Sequence, residues 1–198
     1  NLIRINEATP VIGDFAMETI TQTVITESAM IGHNPDTPGG LGLGIGLTIT
    51  LEELFNCKKD NDYIVIVSAL NDFADVAEQI NEAVKQGYSV KGLIVQKDDG
   101  VLICNRLNNP LPILDEVTHI DKIPLGYLCA VEVAPPGASI DFLTNPYGIA
   151  TAFSLTSEDT KHVIHIAKAL IGNRSAVVIK TPSGDIQERI IPAGEITI

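Results

Sequence analysis

The run from Asp62 to Gln96 most constrains what this chain can fold into. It opens with "DYIVIVSAL", apolar and β-branched throughout, the pattern of a strand buried on both faces. Asn71 stands where an N-cap belongs. Phe73, Val76, Ala77, Ile80 and Val84 then recur at helical spacing, and Gly87 ends the run. "YSVKGLIVQ" is a second strand. The Asp99-Gly100 pair between apolar runs predicts a hairpin into a third strand, "VLICNRL".

The rest of the chain continues in the same style. "NNPLPILDEV" is a Pro-punctuated connection, and "IPLGYLCAVEVAPPG" predicts a short helix leading to a turn. Thr156 and Asp159 form a weakened capping box, opening a helix with Val163, Ala167, Leu170 and Ile171 on one face and Gly172 at its end. "SAVVIK", a turn at "TPSGD" and "IQERII" predict a closing hairpin. Strands alternate with helices and hairpins without an internal repeat or low-complexity linker. The expectation is one α/β domain with a mixed sheet, spanning 1–198.

Composition narrows the function classes. Hydrophobic residues make up 45% and charged residues 19%, a globular balance. The formal charge of −12 repels phosphate backbones, so no nucleic-acid partner is expected. No apolar run approaches the ~18 residues of a membrane helix, so no membrane partner is expected. Cys57, Cys104 and Cys129 are far apart and lack C-x-x-C spacing. Cys104 and Cys129 read as buried thiols, consistent with a reducing cytoplasm. The chain opens on "NLIRIN", which reads as a strand and not an initiator Met, so the expectation is a piece of a longer protein.

Ser28–Thr50, "SAMIGHNPDTPGGLGLGIGLTIT", is the most unusual stretch. Gly39, Gly40, Gly42, Gly44 and Gly46 suggest a nucleotide loop, but a P-loop needs Lys and Ser or Thr after the glycines, and Leu47 follows Gly46. A dinucleotide fingerprint needs a following helix, whereas "LTIT" reads as strand. Alternating Gly with Leu or Ile fits a strand whose Gly face admits a close backbone or partner. His33 reads as a hydrogen-bonded turn residue, and His162 and His165 as helix-surface residues. Asp98 and Asp99 offer hard oxygens to Mg²⁺ or Ca²⁺, yet Asp before Gly is also what a tight turn prefers; Asp115-Glu116 is equally ambiguous.

"LIRINEATPVIGDFAMETIT", "ITESAMIGHNPDTPGG", "QKDDGVLICNRL", "PLPILDEV", "IDKIPLG", "NPYGIAT", "ALIGNRSAVV" and "KTPSGD" together resemble the large subunit of diol dehydratase reactivase, also called glycerol dehydratase reactivating factor. The resemblance spans essentially the whole chain in order. It implies a swivelling domain, a layered β/β/α unit inserted in an actin- and Hsp70-like ATPase core. It implies a chaperone-like function: releasing damaged cobalamin from adenosylcobalamin-dependent diol or glycerol dehydratase by exchange of the reactivase small subunit for a dehydratase subunit. The implied location is cytoplasmic, with association to a bacterial microcompartment left open. The ATP/ADP-binding motifs of that core are absent from this sequence, so no hydrolysis by this chain alone is expected.

The resemblance also implies Mg²⁺ at the contact between large and small subunits. Matched motif by motif, its ligands here are Thr37 of "HNPDTPGG", Asp98 of "DDG" and Asp115 of "PILDEV", with a Glu of the small subunit completing the shell. Oxygen donors of these types suit a hard cation. Asp36 departs from the family pattern, which has Lys there. Two rival readings remain: a metal-dependent enzyme using the same oxygens on a small substrate, and a structural spacer in which the acids are only turn residues.

Overall fold

The structure, a computed structural model, describes the backbone of residues 11–16, 20–26, 40–117 and 120–182, with side chains over 40–117 and 120–180. The expected N-terminal strand at "NLIRIN" and the hairpin into "IQERII" lie outside the described residues.

The strand–helix–strand run folds as its periodicity predicts. Strand β4 (Asp62–Val67) leads through helix α1 (Phe73–Lys85) into β5 (Ser89–Val95), and the two strands pair in parallel. Val76, Ala77, Ile80 and Ala83 form the buried face of α1. Its cap is Asp72, one residue beyond the expected Asn71: the Asp72 carboxylate accepts from Ala74 N–H at 2.9 Å. Gly87 takes φ +94°, the left-handed conformation that ends a helix at little steric cost.

Two expectations are corrected. "VLICNRL" is not a strand: Gly100–Cys104 is the short helix α2. Beyond it β6 (Ile113–Leu114) pairs in parallel with β5, so the chain must cross over between them and cannot turn back as a hairpin. "IPLGYLCAVEVAPPG" is not a helix: Leu128–Val133 is strand β7. Cys129, Val131 and Val133 face one core and Ala130 another, so this strand is buried on both sides and lacks polar alternation.

Among the described residues eight strands make one mixed sheet. With β1 (Val11–Ala16), β2 (Ile20–Thr26), β3 (Gly42–Thr50) and β8 (Ser175–Pro182), the order is β1-β2-β8-β7-β3-β4-β5-β6. The pairings from β1 to β3 are antiparallel and those from β3 to β6 parallel. The sheet curls over so that its two halves face each other. Ile64, Ile66, Ile94 and Leu114 pack against Cys129, Val131, Val133, Val177 and Ile179, and β6 touches β7 and β8 although four strands separate it from β8.

The glycine-rich stretch is the corner of this fold. On β3, Ile45, Leu47 and Ile49 point toward the outer cores, and Gly44, Gly46 and Thr48 alternate with them. A Cβ on Gly44 would overlap the Lys91 carbonyl, and one on Gly46 would lie 2.7 Å from the Asp62 carbonyl. The Gly face therefore admits neighbouring backbone, as the alternation predicts. Thr48 extends the same row by donating to Pro124 O at 2.6 Å and accepting from Tyr127 N–H at 3.2 Å.

Helices cover the outside of both halves. α1 and α2 lie over β3, β4 and β5. Over β7 and β8 lie α3 (Pro146–Ala152) and α5 (Ile164–Ala169), and α4 (Ser157–His162), which buries no residue, packs against those two helices. Thr156 caps α4 as expected, accepting from Asp159 N–H at 3.2 Å. The single helix expected after it is broken at Val163, and Ile166 takes the buried place expected of Ile171, which is 66% exposed. No helix among the described residues is long and apolar enough to cross a membrane.

Candidate functional site

Because β4, β5 and β6 run in parallel, their C-terminal ends lie along one edge, where the chain leaves each strand and backbone groups lose their ladder partners. "KDDG" follows β5 and "DEV" follows β6. Hydrogen bonds join these two exits: Val117 N–H donates to Val95 O at 3.1 Å, and Glu116 N–H donates to Lys97 O at 3.2 Å. Asp98 and Asp115, candidates separated in sequence, thus belong to one corner.

Their environments differ. Asp115 is buried, 8% exposed, and its Oδ2 accepts from Gly100 N–H at 3.0 Å. A Cβ on Gly100 would overlap that carboxylate, so a larger residue there would have to displace the Asp115 side chain from its bond. Asp98 is exposed on the turn. Glu116, next to Asp115, holds φ +57°, a left-handed conformation uncommon outside Gly. A strained residue beside a buried carboxylate is the sort of feature that clusters at functional sites.

Carboxylate oxygens are the donor type a hard cation takes, and the two joined exits offer one that is buried and fixed and one that is exposed. Two carboxylates alone make an incomplete shell, and no group of three or more His, Cys, Asp or Glu gathers among the described residues. Thr37, the third expected ligand, lies outside them, as do His33 and Asp36. Asp99, the other acid of the turn, occupies the N-cap position of α2 without a side-chain cap bond. His162 and His165 are exposed on α4 and α5, as read from the sequence. The sequence shows Gly100 only as the glycine of a turn, and its bond to Asp115 has no signal in local spacing.

A second buried carboxylate has a different task. Glu132 on β7 accepts from the N–H groups of Asp141 (3.2 Å), Phe142 (3.0 Å) and Leu143 (2.8 Å), pinning the loop before α3. Cys129, fully buried in the central core, is pushed well above the ordinary thiol range by loss of solvation, so it stays protonated.

A family model described as the DD-reactivating factor swiveling domain matches residues 25–186. The propanediol dehydratase-reactivating factor large subunit of Citrobacter freundii is 64% identical over all 198 residues, and the diol dehydratase-reactivating factor large subunit of Klebsiella michiganensis is 63% identical. In each case the chain spans 32% of the relative's length. The solved structure of a nucleotide-free diol dehydratase-reactivating factor superposes with a TM-score of 0.73 at 62% identity, covering 92% of this chain and 30% of that one. A glycerol dehydratase reactivase superposes with the same TM-score at 53% identity, covering 96% and 32%. Family model, whole-length identity and a shared α/β fold agree: the chain belongs to the swivelling-domain family of dehydratase-reactivating factor large subunits.

Proposed function

We propose that this chain, as one domain over 1–198, is the docking unit through which a reactivase large subunit holds its small subunit. The bridging site consists of Thr37, Asp98 and Asp115 with a Mg²⁺ ion. The observation that carries the reading is the corner itself: Asp115 fixed by Gly100 N–H beside the exposed Asp98 turn, on one strand-end edge. Relatives named as large subunits imply a smaller partner, and their names give a dehydratase as the target.

In this account Asp115 supplies a pre-oriented oxygen, since its carboxylate is held by a backbone donor and needs little reordering. Asp98 supplies a second oxygen from the solvent side, where a partner's carboxylate can approach. The ion, when bound, supplies the positive charge that lets acidic groups of two subunits meet without repulsion. Release of the small subunit in exchange for a dehydratase subunit, opening the cobalamin site under control of ATP bound elsewhere in the parent protein, belongs to the same proposal. So does a cytoplasmic location.

The test uses the full-length large subunit and its small subunit. Asp98→Ala and Asp115→Ala should each weaken binding at least tenfold in Mg²⁺ and abolish the difference between Mg²⁺ and EDTA, read by titration calorimetry. Affinity equal to wild type in both variants would refute the bridge.

A further inference from the structure

The same edge carries a second feature, outside the metal corner. A crevice of about 390 Å³ opens between the ends of β3, β4 and β5 and the segment 120–125. Its floor is apolar, with Ile66, Ile120 and Ile123 buried. At its mouth stand Leu70, 95% exposed, and Leu125, 46% exposed. Glu52 and Asp121 place carboxylates on its rim.

The turn that shows Leu70 to solvent is held on several sides. Ala69 N–H donates to Gln96 Oε1 at 2.9 Å, and Asn71 N–H donates to Ser68 O at 3.2 Å. The Asn71 amide donates to Glu52 Oε1 and to Ser68 Oγ, both at 3.2 Å, and Lys97 Nζ donates to Asn71 O at 3.2 Å. Glu52's own backbone N–H, and then Asn71, hold its carboxyl below the usual Glu range, favouring its charged form. A fastened turn presenting a bare Leu is pre-organised: little further conformational freedom is lost when something lands on it. An apolar pocket with an acidic rim selects an apolar side chain next to a basic one.

We propose that this crevice anchors a segment of a partner protein that inserts one apolar side chain between Leu70 and Leu125 and sets a Lys or Arg against Glu52 and Asp121. The partner is the subunit that docks at the Asp98–Asp115 corner, so the inference rests on that reading. Continuity supports the assignment: Gln96, which fastens the Leu70 turn, lies two residues before Asp98. One protein surface can cover both.

The experiment places Leu70→Asp, Leu125→Asp and Asp121→Lys singly in the full-length large subunit and titrates the small subunit in Mg²⁺ and in EDTA. All three side chains are exposed, so the variants should keep the wild-type melting temperature. The proposal expects each Asp variant to bind at least tenfold more weakly in both buffers, and Asp121→Lys to bind several-fold more weakly at low salt. Wild-type affinity in both Asp variants would overturn it, even if Asp98→Ala fails to bind. Weak binding by Leu70→Asp with Asp98→Ala unaffected would keep the crevice and remove the metal bridge. Self-association of the large subunit that Leu70→Asp disperses, with small-subunit affinity unchanged, would assign the crevice to a second copy and overturn the proposal.

Discussion

At the scale of single residues, the glycines of β3 show how a side chain that is absent can decide a fold. Gly44 and Gly46 lie where a Cβ would enter the backbone of β5 and β4, and a backbone carbonyl cannot swing aside as a flexible side chain can. Gly42 differs: it holds φ +113° but has open space where a Cβ would go. Gly46→Ala should therefore destabilise the domain by about 3 kcal/mol, from overpacking. Gly42→Ala should cost only about 1 kcal/mol, from backbone strain alone. Urea melts of the two variants measure the difference, and equal losses would mean that β3 is not the corner of the sheet. This row was legible in the sequence because strand periodicity puts every second residue on one face. The Gly100–Asp115 contact was not, because it joins residues 15 apart through the crossing of two chain segments. Asp98 and Asp115 themselves came from the family resemblance; their spacing alone equally fits ordinary turns.

Elements whose environment is simple were the legible ones. α1 has a wet face and a dry face, so its period of 3.6 survives in the sequence. β7 is dry on both faces, which erases the alternation that would have marked it as a strand. α2 was hidden by Asp99-Gly100, which signals a hairpin only when the next segment can pair with the last; here β5 is already flanked by β4 and β6. Glu132 gives β7 a testable second role. Its carboxylate satisfies three consecutive N–H groups, so Glu132→Gln, which brings a donor to face donors, should cost about 3 kcal/mol. Hydrogen exchange should show amides 141–143 losing protection ahead of the β4 and β5 core. Unchanged protection there would mean that the loop is held by its own packing against Leu143 and Ile140.

Across the whole molecule, the decisive contacts are long-range. β8 comes from the C-terminal part of the chain yet lies between β2 and β7, and β6 meets β7 and β8 across the curled sheet. Local propensity carries no trace of such pairings, which is why the α/β class and mixed sheet could be read from residues while the strand order could not. The parallel run of β4, β5 and β6, by contrast, is sequential, and it places their exits on the one edge that gives the docking account its surface. Light-scattering chromatography of the full-length large subunit mixed with its small subunit, in Mg²⁺ and again in EDTA, tests that account most directly. It predicts a complex that holds in Mg²⁺ and separates in EDTA, with Asp98→Ala behaving in Mg²⁺ as wild type does in EDTA. A complex of unchanged mass in EDTA, matched by the Asp98→Ala variant, would contradict the metal-bridged corner.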